Sequence, residues 1–315
     1  MVPKVTLVVL NWNNAEDTLR CLASLAQLTY SNYEVIVVDN GSTDDSVLQI
    51  RSAYDRTILI ETGENLGYAG GNNLGIRYAL EQGTEYVCIL NNDVIVAPDF
   101  LEPLMFELRT NPGVGVVTPL IADMNDSAHV WTLGAMIMQQ TGAVTRLFTG
   151  QKVELVQTKM PFEVDVAPGS TMLVRCEVFD VVGLFSEDFY LYYEESDWSL
   201  LVRKSDYSIY AVPASIVWHK GSAALGRASP IIDYYMLRNH MLFIMRHWSG
   251  IEKRLLLSRV VLRNSMCIVA YTLKPHQGHR LLCRDARLVA LRDALLGHWG
   301  KMGSDAAAIC YRKGR

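Results

Sequence analysis

Short apolar runs alternate with stretches of helical spacing along the first 120 residues, and this alternation limits the available folds more than any other feature. Residues 5–10 form a continuous apolar run, as strands buried on both faces of a parallel sheet do. Residues 17–27 then space their leucines and alanines as a helix does. Further strands are predicted at 34–38, 57–60, 86–90 and 114–120, and further helices at 71–80 and 99–109. The alternation predicts an α/β fold with a mostly parallel, doubly wound sheet.

Polar side chains gather where these predicted strands and the loops after them end. One such cluster is typical of an ordinary turn, but here the clusters follow one another along the chain. They are Asn11-Trp12-Asn13, Asp39-Asn40, Asn65-Leu66-Gly67 and Asn91-Asn92-Asp93. Ligands of doubly wound sheets bind at the carboxyl ends of the strands, so four clusters in succession predict a binding site.

The second part of the chain is less regular between residues 121 and 165, where a strand around Trp131 and a turn at Gly142 are predicted. Beyond residue 166 the pattern sharpens into a strand and a short helix up to Gly183. An acidic stretch at 193–198 then begins another helix, and apolar runs at 209–212 and 216–219 close the body of the protein.

Charge is distributed unevenly along the chain. Residues 1–226 carry 13 Lys+Arg and 28 Asp+Glu, a net of −15, whereas residues 227–315 carry 16 and 5, a net of +11. A basic tail predicts an anionic partner, either membrane phospholipid or nucleic acid. Nucleic acid is not expected, because the tail lacks a pattern of stacking aromatics apart from Tyr234 and Tyr235. A leucine-rich face at 281–296 opposite Arg280, Arg284 and Arg287 favours a membrane surface, with packing on the body or on a second subunit as the alternative.

Cysteine usage and the termini exclude several other classes. The six cysteines are scattered without a Cys-x-x-Cys pair, which argues against a structural zinc site and a disulfide scaffold. The N-terminal apolar run ends at Asn11, too early for a signal peptide, and no window holds eighteen uninterrupted apolar residues. A cytoplasmic protein without a spanning helix is therefore expected.

The order and spacing of the motifs resemble the family-2 glycosyltransferases of the nucleotide-sugar-binding A-type fold, and among them the rhamnosyltransferase-like bacterial members. The motifs are Leu-Asn-Trp-Asn (10–13), Val-Val-Asp-Asn-Gly-Ser-Thr-Asp (37–44), the Asn- and Gly-rich stretch 65–75, Leu-Asn-Asn-Asp (90–93), Gly-Ser-Thr-Met-Leu-Val-Arg (169–175), Tyr-Glu-Glu-Ser-Asp-Trp-Ser-Leu (193–200) and His219. The resemblance implies a catalytic domain at 1–226, with a nucleotide-binding half (1–120) and an acceptor half (121–226), and a C-terminal helical appendage at 227–315.

The resemblance also implies an inverting hexosyl transfer, with rhamnose favoured, from a dTDP- or UDP-sugar to a hydroxyl of a glycan or lipid-linked acceptor in cell-surface polysaccharide synthesis. It assigns Asp39 to an imide N–H of the base; the alternative is a helix cap near Ser42. The other residues that it assigns to the nucleotide or donor are Asn11, Asn65, Gly67, Asn72, Asn92 and Asp93.

A divalent metal, Mg²⁺ or Mn²⁺, is implied at Asp93 and His219. The chain departs from the family's Asp-x-Asp pattern, because Asp93 is the one carboxylate of Asn91-Asn92-Asp93. A single carboxylate, diphosphate oxygens and water suit either ion, and Mn²⁺ tolerates imidazole better. A lone histidine at a strand end is more often structural, which is the alternative for His219.

The resemblance places the general base at Glu195, the second acidic residue of its motif. Inversion needs a base that takes the acceptor proton opposite the leaving diphosphate. The alternative is favourable charge at a helix N-terminus. Glu194, Asp197 and Trp198 are predicted to orient or contact the acceptor, with core packing as the alternative for Trp198.

Two other classes of function make different predictions. A nucleotide-binding dehydrogenase predicts Gly-x-Gly-x-x-Gly after the first strand, where the chain has Asn11-Trp12-Asn13-Asn14. A non-catalytic nucleotide- or membrane-binding module on a relic fold predicts loss of the acidic positions, yet Asp39, Asp93 and Glu195 are all present.

Overall fold

The computed structural model describes residues 2–54, 57–221, 229–273 and 278–312. The chain divides into two compact units. We call the first, at 1–137, 144–185 and 195–221, the sheet unit, and the second, at 138–143, 186–194 and 222–315, the helical unit. The expected boundary at Gly226 lies outside the described residues.

The sheet unit is built on a ten-stranded sheet within the described ranges, with the order β10-β12-β6-β11-β4-β1-β2-β3, while β5 pairs with β12 and β7 with β6. The strands are β1 (Val5–Asn11), β2 (Tyr33–Asp39), β3 (Ile58–Glu61), β4 (Tyr86–Asn91), β5 (Val94–Val96), β6 (Val114–Asp123), β7 (Asp126–Thr132), β8 (Ala135–Met138), β9 (Ala143–Arg146), β10 (Phe162–Glu163), β11 (Thr171–Arg175) and β12 (Ser208–His219). Strands β8 and β9 form a separate two-stranded sheet around the predicted turn at Gly142.

The predicted mostly parallel sheet is present in two parts. Strands β3, β2, β1 and β4 are all parallel neighbours, and β6 is parallel to β12. Strand β11 lies between the two parts and is antiparallel to both β4 and β6. The α/β prediction is thus confirmed. The sheet is mixed because β11 runs against both parts and because β5, β7 and β10 are also antiparallel to their neighbours.

Helices cover the faces of the sheet and form the C-terminal region. They are α1 (Ala15–Leu25), α2 (Ser46–Ala53), α3 (Gly67–Glu81), α4 (Leu101–Thr110), α5 (Val153–Val156), α6 (Cys176–Val182), α7 (Glu194–Arg203), α8 (Pro230–His247), α9 (Gly250–Leu273), α10 (Gly278–Leu296) and α11 (Ser304–Cys310). A Cβ on Gly75 would lie 2.3 Å from Val8 Cγ1, and one on Gly71 would lie 2.5 Å from Leu10 Cδ1. These glycines therefore let α3 pack closely on β1.

The second helix begins four residues later than the polar sequence around Ser42 suggests, at Ser46. The Ser42 backbone N–H and hydroxyl both donate to the Asp39 carboxylate, at 3.0 and 2.6 Å. The two residues thus close a turn after β2 instead of capping a helix.

The helical unit contains α8 to α11 around a buried arginine. Arg238 stacks over Tyr234 and Tyr235, and its Nη1 donates to the Gly300 carbonyl at 2.8 Å. The Tyr234 hydroxyl donates to Asp293 at 2.6 Å. Ring stacking and hydrogen bonds together make this buried charge compatible with the interior.

Helix α9 is long and apolar enough to cross a membrane by length and composition, with 24 residues and a mean hydropathy of 1.2 in its best window. A core helix of a soluble protein meets the same criterion, so the expected absence of a spanning helix stays a prediction.

Candidate active site

Asn11 connects the ends of three neighbouring strands of the sheet unit. Its side chain is buried at the end of β1, where Nδ2 donates to Asp39 Oδ1 at 2.7 Å. Its Oδ1 accepts from Thr18 Oγ1 at 2.7 Å and from Asn92 Nδ2 at 3.4 Å. The amide that we expected to contact the donor therefore also fixes Asp39 and Asn92, and it places the ends of β1, β2 and β4 in one site.

Asp39 ends β2 with a buried carboxylate that accepts hydrogen bonds from neutral groups only. Oδ1 receives Asn11 Nδ2 and the Ser42 hydroxyl, while Oδ2 receives the Ser42 backbone N–H. A carboxylate has about four lone-pair sites, so Oδ2 retains capacity for one further N–H donor. The geometry is compatible with the imide N–H that the resemblance assigns to it.

The turn before α3 is held by Asn40, which the sequence placed in one of the polar clusters without an individual role. Asn40 Nδ2 donates to the Gly67 carbonyl at 3.0 Å, and its Oδ1 accepts from the Leu66 N–H at 3.0 Å. Asn65 Oδ1 accepts from the Gly67 N–H at 2.8 Å. Asn72 donates to the Tyr68 carbonyl, and its buried Oδ1 has no partner in the described part of the chain. Polar atoms thus line this turn beside Asp39.

The turn after β4 brings Asp93 to His219 at the end of β12. His219 Nε2 lies 3.1 Å from Asp93 Oδ1, and both side chains are largely buried, with 6% and 12% exposed. The Asp93 carbonyl accepts from the Lys220 N–H at 3.1 Å. Asn92 Nδ2 donates to Thr18 Oγ1 at 2.9 Å, which anchors this turn to α1. The two predicted metal ligands are therefore adjacent.

Four further residues, Trp131, Arg146, Lys220 and Asp17, support this pair and were not selected as site residues from the sequence. The Trp131 ring contacts His219 edge-on, with centroids 4.8 Å apart, and the Arg146 guanidinium lies 4.4 Å above Trp131. Lys220 Nζ contacts both carboxylate oxygens of Asp17, at 3.0 and 2.9 Å. Burial alone would raise the pKa of Asp17, but hydrogen bonds from Asn14 and Lys220 lower it. The end of β12 is thus locked onto α1.

The donor set of Asp93 and His219 fits a divalent cation that also takes oxygens from a substrate. The two side chains present a carboxylate oxygen and an imidazole nitrogen to one point, and Asp93 retains a second carboxylate oxygen. Among the described residues, no group of three or more His, Cys, Asp or Glu side chains forms a complete metal cage. Mg²⁺ and Mn²⁺ commonly use one or two protein ligands together with phosphate oxygens and water.

Glu195 lies in the first turn of α7, beside the segment that precedes β11. A Cβ on Gly169 would lie 3.6 Å from Glu195 Cβ, and the Ser170 carbonyl accepts from the Asn91 N–H at 3.0 Å. This segment therefore connects Glu195 with the turn that carries Asp93. Glu195 Oε2 is buried without a hydrogen-bond partner in the described residues, and burial raises the pKa of this carboxyl. A buried carboxylate with a free oxygen suits a general base.

The other acidic-motif residues occupy different surroundings. Trp198 is fully buried in the core, where its ring packs on Phe179 and Phe185 and its Nε1 donates to the Gly183 carbonyl at 2.8 Å. Asp197 and Glu194 are also buried. Trp198 therefore has the packing role that was its alternative, whereas acceptor contacts of Glu194 and Asp197 stay predictions.

Comparison with known sequences identifies the family of the chain. Residues 6–183 match the model of glycosyl transferase family 2. A low-salt glycan biosynthesis hexosyltransferase, Agl10 of Haloferax volcanii, is 27% identical to this chain. The aligned region covers 66% of this chain and 64% of the length of that relative. The dTDP-rhamnosyl transferase RfbF of Shigella flexneri is 24% identical over 78% of this chain and 82% of its own. An N-acetylglucosaminyl-diphospho-decaprenol L-rhamnosyltransferase of Mycobacterium tuberculosis is 26% identical over 92% of this chain and 99% of its own length.

Solved structures share the fold at low sequence identity. GalNAc-T7 with UDP, GalNAc and Mn²⁺ superposes with a TM-score of 0.62 at 17% identity, over 79% of this chain and 49% of that one. The mannosyltransferase PcManGT of Pyrobaculum calidifontis, with GDP-Man and Mn²⁺, superposes with a TM-score of 0.58 at 17% identity. The superposition covers 95% of this chain and 88% of that one. The expected A-type fold is thereby confirmed.

Proposed function

Because the chain belongs to glycosyl transferase family 2, we propose that it moves a sugar, with rhamnose favoured, from a dTDP- or UDP-sugar with inversion at the anomeric carbon. The acceptor is a hydroxyl of a glycan or lipid-linked saccharide in cell-surface polysaccharide synthesis. The observation that carries the proposal is the buried, unpartnered Oε2 of Glu195, joined through Gly169 and Ser170 to the turn of Asp93.

The roles of the residues follow from their chemistry. Glu195 takes the proton of the acceptor hydroxyl as that oxygen attacks the anomeric carbon, because its raised pKa makes it a stronger base than an exposed carboxylate. Asp93 and His219 would hold the divalent ion, which supplies charge neutralisation for the departing nucleoside diphosphate. Asp39 binds the base, and the turn around Asn65 holds the nucleotide beside it.

The names of the relatives support the choice of donor and acceptor. Two are rhamnosyltransferases; the name of one specifies dTDP, and that of the other an acceptor on diphospho-decaprenol. A panel of nucleotide sugars, incubated with the protein, a divalent metal and saccharide acceptors, tests the proposal through released nucleoside diphosphate. A dTDP- or UDP-hexose should be consumed, and a panel without any turnover would contradict the proposal.

Replacing Asp39 with Asn should weaken nucleotide binding more than it slows the chemical step. The substitution removes the charge that an imide N–H of the base would contact. A hydrogen bond to a charged group contributes about 1.5–3 kcal/mol, so the nucleoside-diphosphate Kd should rise roughly 10- to 100-fold. Isothermal titration calorimetry measures the Kd. The control is Asp126→Asn, which changes a carboxylate that pairs with His129 at the surface; equal Kd values for the two variants would contradict the assignment.

We further propose that the protein is cytoplasmic and contacts the inner face of the cell membrane through α9. Leu256, Val260 and Asn264 of this helix are buried in the helical unit. The opposite face exposes Ile251, Leu255, Leu262, Met266, Val269 and Leu273. Arg254, Arg259 and Arg263 lie on the flanks of this apolar face, where long cationic side chains suit anionic headgroups.

Helix α10, whose leucine-rich face was predicted to bind the membrane, is a weaker candidate than α9. Val289 is buried while Leu288 is exposed, so the predicted apolar face is divided between the interior and solvent. Arg287 pairs with Asp233, and Arg292 pairs with Asp293. The charges of α10 are thus engaged within the helical unit, whereas no carboxylate pairs with Arg254 or Arg263 among the described residues.

Changing Leu262 and Met266 together to Gln should weaken vesicle binding, because each change removes the free energy gained by burying an apolar side chain in the membrane. The vesicle affinity should fall roughly tenfold per residue. Sedimentation with phosphatidylcholine vesicles, with and without phosphatidylglycerol, measures the binding, which should require the anionic lipid and weaken with salt. The control changes Leu48 and Val181, which are equally exposed elsewhere. Equal recovery with both vesicle types would favour packing or self-association, and salt-resistant binding would favour a spanning helix.

A further inference from the structure

The segment that leads into the proposed base has an unusual backbone. We call residues 186–194 the tyrosine loop; it belongs to the helical unit, and its last residue, Glu194, is bonded to Glu195. Within it Tyr190, Tyr192 and Tyr193 have φ of 63°, 68° and 75°. A side chain with a Cβ is sterically disfavoured in this left-handed region. Three such residues within four positions persist only where other contacts hold the backbone.

Two adjacent buried residues of α8 supply hydrogen bonds to the loop backbone. Asn239 Nδ2 lies 2.8 Å from each of the carbonyl oxygens of Phe189, Leu191 and Tyr192, and its two N–H groups are shared among the three. Arg238 Nη2 donates to the Phe189 carbonyl at 3.2 Å. Arg238 Nε also donates to Asn239 Oδ1 at 3.0 Å, which turns the amide so that its N–H groups face the loop. One side chain of α8 thus binds three backbone carbonyls of the loop.

Ring contacts add to the same arrangement. Tyr190 stacks on Tyr235 with centroids 5.4 Å apart and an interplanar angle of 20°. Tyr193 stacks on His240 at 5.4 Å and 11°. The tyrosines on either side of Tyr192 are therefore fixed to α8 by their rings, while the backbone between them is fixed by Asn239.

We propose that Asn239, oriented by Arg238, is a positioning residue for the general base. It holds the tyrosine loop in its left-handed conformation and thereby sets the direction in which the chain enters α7, where Glu195 follows at once. The inference rests on the proposed role of Glu195. The effect on Glu195 passes through the peptide bond that joins it to Glu194 at the start of α7.

A second buried asparagine provides a matched comparison. Asn264 of α9 is also buried, donates to the Val260 carbonyl of its own helix at 2.8 Å and accepts from Arg287 at 2.6 Å. Neither of these hydrogen bonds involves the tyrosine loop. Both residues should contribute to stability as hydrogen-bonded buried amides, and only Asn239 should affect the reaction.

Replacing Asn239 with Ala should lower kcat by about 10²-fold, because a small misplacement of a catalytic group has an effect of this order. The Kd for UDP or dTDP should stay unchanged, since the nucleotide contacts belong to the sheet unit. Asn264→Ala should change neither quantity. Equal kcat for Asn239→Ala and the parent protein, or equal losses in the two alanine variants, would overturn the proposal.

Changes at Tyr192 test the same idea without touching Asn239. Glycine adopts positive φ freely and a β-branched residue does not, so Tyr192→Gly should keep most of kcat and Tyr192→Val should lose it. Tyr192→Gly should also restore kcat of the Asn239→Ala variant by roughly tenfold, since it removes the steric cost that the amide offsets. Loss of kcat in Tyr192→Gly but not in Tyr192→Val would contradict the backbone argument, even if Asn239→Ala fails to fold.

Hydrogen exchange separates this inference from the proposed function. Backbone amides of the tyrosine loop should exchange faster in Asn239→Ala than in Asn264→Ala, whether or not a donor is turned over. Equal exchange rates in the two variants would contradict the proposal that Asn239 holds the tyrosine loop. An active Glu195→Gln variant would contradict the assignment of the base. Faster exchange in Asn239→Ala would still show that Asn239 holds the tyrosine loop.

Discussion

Replacing Glu195 with Gln should lower kcat by about 10²–10⁴-fold, the usual contribution of general-base catalysis, and should leave nucleoside-diphosphate binding nearly unchanged. Glutamine keeps the size and the hydrogen-bonding reach of the side chain, but it cannot take the acceptor proton. Steady-state kinetics with a saturating donor, together with calorimetric titration of the nucleotide, measures the two effects separately.

The matched control is Glu194→Gln, because the acidic motif contains two adjacent glutamates. Both lie in the first turn of α7: Glu194 is buried, while Glu195 is partly buried with its Oε2 enclosed. Only one of them is expected to be the base. An inactive Glu194→Gln with an active Glu195→Gln would move the base by one residue. Full activity of both variants would remove the base from this motif.

The pH dependence of kcat gives a second signature of the same residue. Burial raises the pKa of Glu195 above the ordinary carboxyl value. The base acts in its ionised form, so kcat should fall as the pH drops through this raised pKa and recover as the pH rises above it. The acidic limb should be absent from the residual activity of Glu195→Gln.

Chelation of divalent metal should abolish turnover, and Mg²⁺ or Mn²⁺ should restore it. Loss of several kcal/mol of charge stabilisation corresponds to a fall on the order of 10²–10³-fold or more. Asp93→Asn and His219→Ala should each reproduce the loss at ordinary metal concentrations, because each removes one of two protein ligands. Kinetic titration with metal measures the effect as a raised concentration for half-maximal activity.

The surface pair of Asp126 and His129 provides the control for this experiment. It has the same two residue types 2.8 Å apart, and its side chains are 60% and 40% exposed. Asp126→Asn should leave metal dependence unchanged. Full activity of the parent protein in excess chelator would contradict the assignment of Asp93 and His219.

Local patterns predicted the elements that place the site. Strands β1, β2 and β4 could be predicted because both faces of each are buried, which makes their sequences continuously apolar. Asp39 and Asp93 followed from their positions at the ends of such strands. The antiparallel direction of β11 could not be predicted, since a short apolar strand has the same sequence pattern in either direction.

The contacts that complete the site join residues far apart in sequence. Lys220 and Asp17 are 203 positions apart, and no local pattern connects them. The left-handed tyrosines could not be predicted, because tyrosine has no preference for positive φ. The residue that holds them, Asn239, lies on a different element of the chain. The exposed apolar face of α9 likewise depends on which face of the helix its neighbours cover, and α10 was chosen instead.

The anomeric configuration of the product tests the central claim most directly. The donor that the panel identifies is incubated with its acceptor, and the one-bond carbon–proton coupling at the anomeric carbon is compared between donor and product by NMR. A single displacement assisted by one base predicts a glycoside of inverted configuration, formed in step with nucleoside diphosphate. A product of retained configuration, or diphosphate release without any glycoside, would contradict the account.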